Sequence, residues 1–226
     1  MPQIPPQMEN DVRFWLHQDM EHNLFFAMGF EDPALKMEAL RLHDAFQTAL
    51  AKGDLGALAL IPTSQDFKRR ALAATKARWT GSVYPSFIDH VAREIDWMLV
   101  RPLAGAVQTP EVICAINQLN ADHAALAAHL LDPSATAFVN KAHDLHMRGT
   151  QIATGCAAAV LPTLLAISKN AATEADTLIN AVITQKPPHI INPRLAAHVD
   201  REGKYFLGRL NAIPESPAPS TGYFHY

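Results

Sequence analysis

The sequence predicts an all-α protein, built as two tandem four-helix up-down bundles related by an internal repeat. Three observations carry that expectation. Ala- and Leu-rich segments dominate while aromatic residues make up only 8% of the chain, a balance that favours helix over strand. Pro and Gly punctuate those segments where helices start and stop. The order of elements in the first half is then written again in the second.

The first helix is expected after the cap signal Asn10-Asp11 and runs to Phe30. Asp32-Pro33 ends it and opens the second, which runs to Lys52 with Gly53 as its stop. Ser64 or Asp66 caps the third, which reaches Trp79-Thr80 before Gly81. Pro85 opens the fourth, ending at Arg101-Pro102. In the second half Thr109-Pro110 opens the fifth helix, and Asp132-Pro133 separates it from the sixth, which runs to Gly149 or beyond. The seventh lies between Pro162 and Gln185. Pro187-Pro188 and Asn192-Pro193 close the connection, and Pro193 opens the eighth. The expected domains are residues 1–106 and 107–213, followed by a flexible Pro/Ser-rich tail, 214–226.

The two halves match residue by residue. Glu21-His22 answers to Asp122-His123, Asp32-Pro33 to Asp132-Pro133, and His43-Asp44 to His143-Asp144. His90-Val91-Ala92-Arg93-Glu94 answers to His198-Val199-Asp200-Arg201-Glu202. A chance hydrophobic periodicity would repeat Leu and Ala. This one repeats His and acidic residues, and six of the eleven histidines sit at matched positions.

Composition excludes several classes of function. A chain of 226 residues buries a full core without staples, and 49% hydrophobic content excludes disorder of the whole chain. A net charge of −3 without a basic stripe gives no nucleic-acid partner. No run of about 18 uncharged apolar residues exists, so no membrane partner is expected. The stretch MPQIPPQMEND lacks the basic and apolar regions of a secretory leader, which points to the cytoplasm. Cys114 and Cys156 lack CxxC spacing and read as small buried hydrophobes.

The histidines converge by depth. His22 lies 11 residues before Pro33 and His43 lies 10 after it, so in an antiparallel hairpin both sit at one level. That level is about 15 Å from the turn at 1.5 Å per residue. His90 and Glu94 follow Pro85 by 5 and 9 residues, and reach nearly the same level from another helix. His123 and His143 flank Pro133 at 10 residues each, and His198 and Glu202 follow Pro193 by 5 and 9. His and Glu at i and i+4 share a helix face and can reach one ion. A carboxylate on an apolar face is rarely buried unless it is paired or holds a metal. A lone His on such a face is usually a core residue and a lone His-x-x-x-Glu a surface pair. The duplicated set decides for metal. Imidazole with carboxylate and no thiolate suits iron, manganese, zinc or nickel.

Other residues carry less. Arg93 and Arg201 read as snorkelling surface residues. Asp44, Asp144, Glu21 and Asp122 point about 100° away from their neighbouring histidines. His17 and Glu21 form a further His-x-x-x-Glu pair, and His129, His146, His189 and His225 are unmatched. The stretch Ala71–Thr75 on the third helix offers no ligand, which leaves one side of the site open to water or a small molecule. Trp97 and Tyr205 stand three residues after Glu94 and Glu202. The Glu-x-x-His pattern of dinuclear carboxylate proteins is therefore absent.

Trp15 followed by Glu21-His22-Asn23-Leu24-Phe25-Phe26, Ala121-Asp122-His123 leading to Leu131-Asp132-Pro133, and the two His-x-x-x-Glu motifs resemble a bacterial ferritin-like family, domain-of-unknown-function family 2935. The resemblance spans residues 11–212. It implies two fused ferritin-like bundles with a metal centre in each, and carries no established reaction. His22, His90, Glu94, His123, His198 and Glu202 match its pattern, whereas His43 and His143 rest on depth alone. The expectation is a metal-binding protein holding iron or manganese, with zinc as a further candidate ion. The alternatives are an oxygen- or peroxide-dependent oxidoreductase with a small-molecule oxidant or substrate, and a metal-free helical interaction module. A homodimer is the partner state considered.

Overall fold

Among the described residues, which are 4, 6–53, 55–105 and 108–214 of this computed structural model, eight principal helices and no strand occur. The expected tail, 214–226, lies outside the described residues beyond Pro214. The chain divides into two compact units, Met1–Ala106 and Val107–Phe224.

In the first unit α1 spans Glu9–Gly29, α2 Pro33–Ala51, α3 Ile61–Ala77 and α4 Pro85–Ile95. Asp32 starts α2 as the sequence indicates. Its side chain accepts from the amides of Ala34 and Leu35, with Pro33 in the first turn. Two starts differ from expectation. α1 begins at Glu9, before the Asn10-Asp11 signal, and no side chain caps it. α3 begins at Ile61, so Ser64 is a buried interior residue rather than a cap, and its hydroxyl accepts from Asn23 Nδ2 at 3.3 Å. α4 widens into a π-helical turn over Asp96–Val100, directly after Glu94 and Ile95. Beneath the turns, Phe26, Phe30 and Phe67 meet at ring-centroid distances of 5.9–6.4 Å among Leu35, Ala39 and Leu42. A short bridge between Phe30 and Gly81 joins the end of α1 to the segment that leads into α4.

In the second unit α5 spans Thr109–Leu130, α6 Thr136–Gly155, α7 Leu161–Gln185 and α8 Pro193–Ala212. Asn192 caps α8 by accepting from Arg194 N. The start of α6 departs from the Pro33 precedent. Asp132 Oδ1 accepts from Ser134 N and holds Pro133 and Ser134 in a turn, which delays the helix to Thr136. The core gathers Leu131, Ala142, Leu145, Leu178, Val182 and Ile191.

The cysteines correct a second expectation. Cys114 and Cys156 form a disulfide, with a Cα–Cα separation of 5.8 Å, that ties α5 to the turn after α6. They are small and largely buried, but they are not free hydrophobes. Their separation of 42 residues spans an antiparallel helical hairpin, which returns the chain beside its start.

Candidate metal centres

Two faces in the first unit supply the site. On α1 the buried positions Trp15, Gln18, Asp19, His22, Asn23 and Phe26 follow helical spacing and form one inward stripe. On α4 the stripe is Ile88, His90, Val91, Glu94 and Ile95. His22 Nε2 lies 3.3 Å from Glu94 Oε2, and His90 Nε2 lies 3.9 Å from the same oxygen. Glu94 is 0% exposed, and neither of its carboxylate oxygens takes a hydrogen bond among the described residues.

The second unit has its own set. His198 Nε2 lies 2.9 Å from Glu202 Oε1, one turn along α8. His123 Nε2, from α5, lies 3.3 Å from Glu202 Oε2. All three side chains are buried, and the His123 ring stacks on Phe206 at 6.2 Å.

These sets fit a transition-metal ion. An ion bound at about 2.1 Å places neighbouring ligand atoms about 3.0–3.5 Å apart, close to the separations above. A fully buried carboxylate without hydrogen-bond donors needs a positive partner. Imidazole Nε2 atoms are lone-pair donors when neutral, and both cysteine sulfurs are used up in the disulfide.

Around His22 the chain builds a support that inspection of the sequence missed. Asp19, one turn earlier, places Oδ1 3.8 Å from His22 Nδ1. Lys68 of α3 donates to that same Asp19 oxygen, and both side chains are fully buried. Burial pushes the Asp19 carboxyl up. The charge of Lys68 and the adjacent His22 outweigh it and hold the group at about 2. Gln18, also fully buried, leaves both amide atoms without a partner among the described residues. The signal for Lys68 was present: it falls on the apolar stripe of Ile61, Phe67 and Ala71. It also alters the expectation of an open side along Ala71–Thr75. Ala71 is packed into the core, and Lys68, one turn before it, is fully buried against Asp19.

His43 and His143 are not brought to these sets. The inward stripe of α2 is Leu35, Ala39, Leu42 and Phe46, so His43 sits one position off it and pairs with Asp44 at 3.0 Å. His143 is exposed on α6 beside the buried Ala142. Equal depth along a hairpin does not give equal facing, because one residue turns a helix by about 100°. The remaining polar residues take local partners. His17 pairs with Glu21 at 3.8 Å, Arg93 with Asp89 and Arg148 with Asp144, each at 2.9 Å. His129 and His146 put Nδ1 on the carbonyls of Ala125 and Ala121, and His189 Nδ1 accepts from Ile191 N.

No family model matches the chain, and no curated protein matches it. Among solved structures the chain is similar to the crystal structure of an uncharacterized protein from Bacillus cereus G9241. The two share 15% sequence identity and a TM-score of 0.80 over 96% of this chain and 95% of that one. At that identity the likeness is one of fold.

Proposed function

We propose that the protein is a metal-binding protein of ferritin-like architecture. In this reading the two units are tandem four-helix bundles related by an internal repeat, of the kind in domain-of-unknown-function family 2935. Each unit contributes one His–Glu–His set: His22, His90 and Glu94 from the first, His123, His198 and Glu202 from the second. One observation carries the proposal. In each unit a completely buried glutamate lies within 4 Å of two imidazole Nε2 atoms from different helices.

The donor set of nitrogen and carboxylate oxygen favours iron or manganese and accepts zinc. A bound ion of this kind supplies Lewis acidity and, for iron or manganese, a redox couple. Glu94 and Glu202 supply the negative charge, the imidazoles fix orientation through Nε2, and the complete burial of both carboxylates keeps bulk water out.

Elemental analysis of the purified full-length chain tests the reading. The expected result is a first-row transition metal in near-integral ratio to the chain, removed by a chelator and restored by manganese(II) or iron(II). The Glu94→Gln/Glu202→Gln double variant loses it, and His129→Ala retains it. A parent protein that neither carries nor takes up manganese, iron or zinc would overturn the proposal.

A further inference from the structure

Gln18 is fully buried on the inward stripe of α1, and neither its Oε1 nor its Nε2 has a hydrogen-bond partner among the described residues. Two other buried amides spend their donors within the fold. Asn23 Nδ2 donates to the Asp19 carbonyl at 2.7 Å and to Ser64 Oγ at 3.3 Å. Asn117 Nδ2 does the same in the second unit, with the Ile113 carbonyl at 2.8 Å and Ser168 Oγ at 2.7 Å. Leaving a buried amide unmet costs its full desolvation penalty. Matching Glu21-His22 to Asp122-His123 puts Leu119 at the place of Gln18, where it is buried without that cost. Packing alone therefore does not call for an amide at this position.

Its neighbour is a candidate metal ligand. Gln18 precedes His22 by one turn, which puts their Cβ atoms about 5–6 Å apart on one face. Side chains on a helix lean toward its N-terminus, so the His22 ring leans over the turn that carries Gln18. His22 Nε2 in turn lies 3.3 Å from Glu94 Oε2. Gln18 does not spend its donor on Glu94, whose two oxygens also take no hydrogen bond among the described residues.

Charge narrows what the amide can hold. An ion bound by His22, His90 and Glu94 has three protein ligands and keeps a position open. Two neutral imidazoles and one carboxylate leave a divalent ion with one unit of positive charge, and the Lys68–Asp19 pair beside it adds none. Buried, that charge calls for a counter-charge. We infer that the open position takes a small monoanion and that Gln18 holds it by donating from Nε2. Oε1 is then left to accept from an anion that carries a proton, as hydroxide does. Gln18 is a positioning residue for this anion, not a ligand of the ion. The inference rests on the metal-binding reading above and deepens it: the first centre takes an anion through Gln18, and Leu119 gives the second no amide at the matching position.

The test uses the full-length chain loaded with cobalt(II), whose visible absorption reports its ligands, and titrated with azide. Azide is expected to bind and to change the cobalt spectrum. Gln18→Leu, which installs the residue of the second unit, should weaken the tightest azide-binding event by roughly 10–100-fold. Its cobalt affinity should equal that of the parent. In chelator it should melt at or above the parent, because an unmet amide has been removed. Unchanged azide affinity in the variant, or no azide binding by the parent, would overturn the inference and leave the metal site standing. A large loss of cobalt affinity would overturn it by making Gln18 a ligand of the ion, and a lower melting temperature in chelator by giving it a structural role. A parent that takes up no cobalt would overturn the metal reading and this inference with it.

Discussion

A carboxylate buried between two imidazoles helps the protein only when something positive is present to share. Glu94→Gln therefore has opposite signs in two conditions. In chelator the variant removes a buried charge at nearly constant volume, so its melting temperature should equal or exceed that of the parent. With saturating manganese(II) it should melt below the parent, because the hard ligand is gone. Thermal melts with and without metal check both signs. A second residue-scale expectation concerns Gly81, whose φ of +137° lies where a side chain is strained. A Cβ there would run into the Gly29 carbonyl oxygen and lie 2.6 Å from Glu31 N, inside the bridge beside Phe30. Gly81→Ala should cost about 2–3 kcal/mol in denaturant unfolding.

Between elements, the contact of α6 with α7 carries a pH signature. Glu174 on α7 takes two hydrogen bonds from Arg148, at 3.0 and 2.7 Å, and one from Lys141, both on α6. Arg148 first and Lys141 second hold its carboxyl at about 2, against an ordinary 4.5. The folded-state value lies below the unfolded one. The contribution is thus fully present above about pH 4.5 and is lost as pH falls toward about 2. With the three side chains 31–42% exposed, solvent screening limits it to about 1 kcal/mol. Glu174→Gln should flatten that part of the acid-unfolding curve. The disulfide acts at the same scale. Closing a loop between residues 42 apart should contribute about 2–4 kcal/mol. Reducing it, or Cys156→Ser, should lower the unfolding free energy by that amount, read from the fall in the denaturant midpoint with and without reductant.

For the whole molecule, a metal bound as proposed would raise stability through mass action. Free metal at about 100 times its Kd adds about 2.7 kcal/mol to the folded state. In a chain of this size that raises the melting temperature by roughly 5–10 °C. The Glu94→Gln/Glu202→Gln double variant should show no such rise. Far-ultraviolet dichroism should stay helical through metal removal, because the aromatic and aliphatic cores of both units are built without the His–Glu–His sets.

Local chemistry in the sequence determined the helices and most of their ends. Asp32-Pro33, Pro85 and Asn192-Pro193 act within a few residues, and they place starts where the structure has them. The same holds for His90–Glu94 and His198–Glu202, whose i,i+4 spacing fixes a shared face without help from any other helix. Tertiary structure decided what depends on a second element. It turned His43 and His143 away from the inward stripes, since facing at equal depth depends on helix rotation in the packed unit. It joined Cys114 to Cys156 across a hairpin, and it brought Lys68 through an apolar stripe to Asp19 behind His22. A buried ion pair is worth keeping only when its partner arrives from elsewhere in the chain, and spacing along one helix cannot show that arrival.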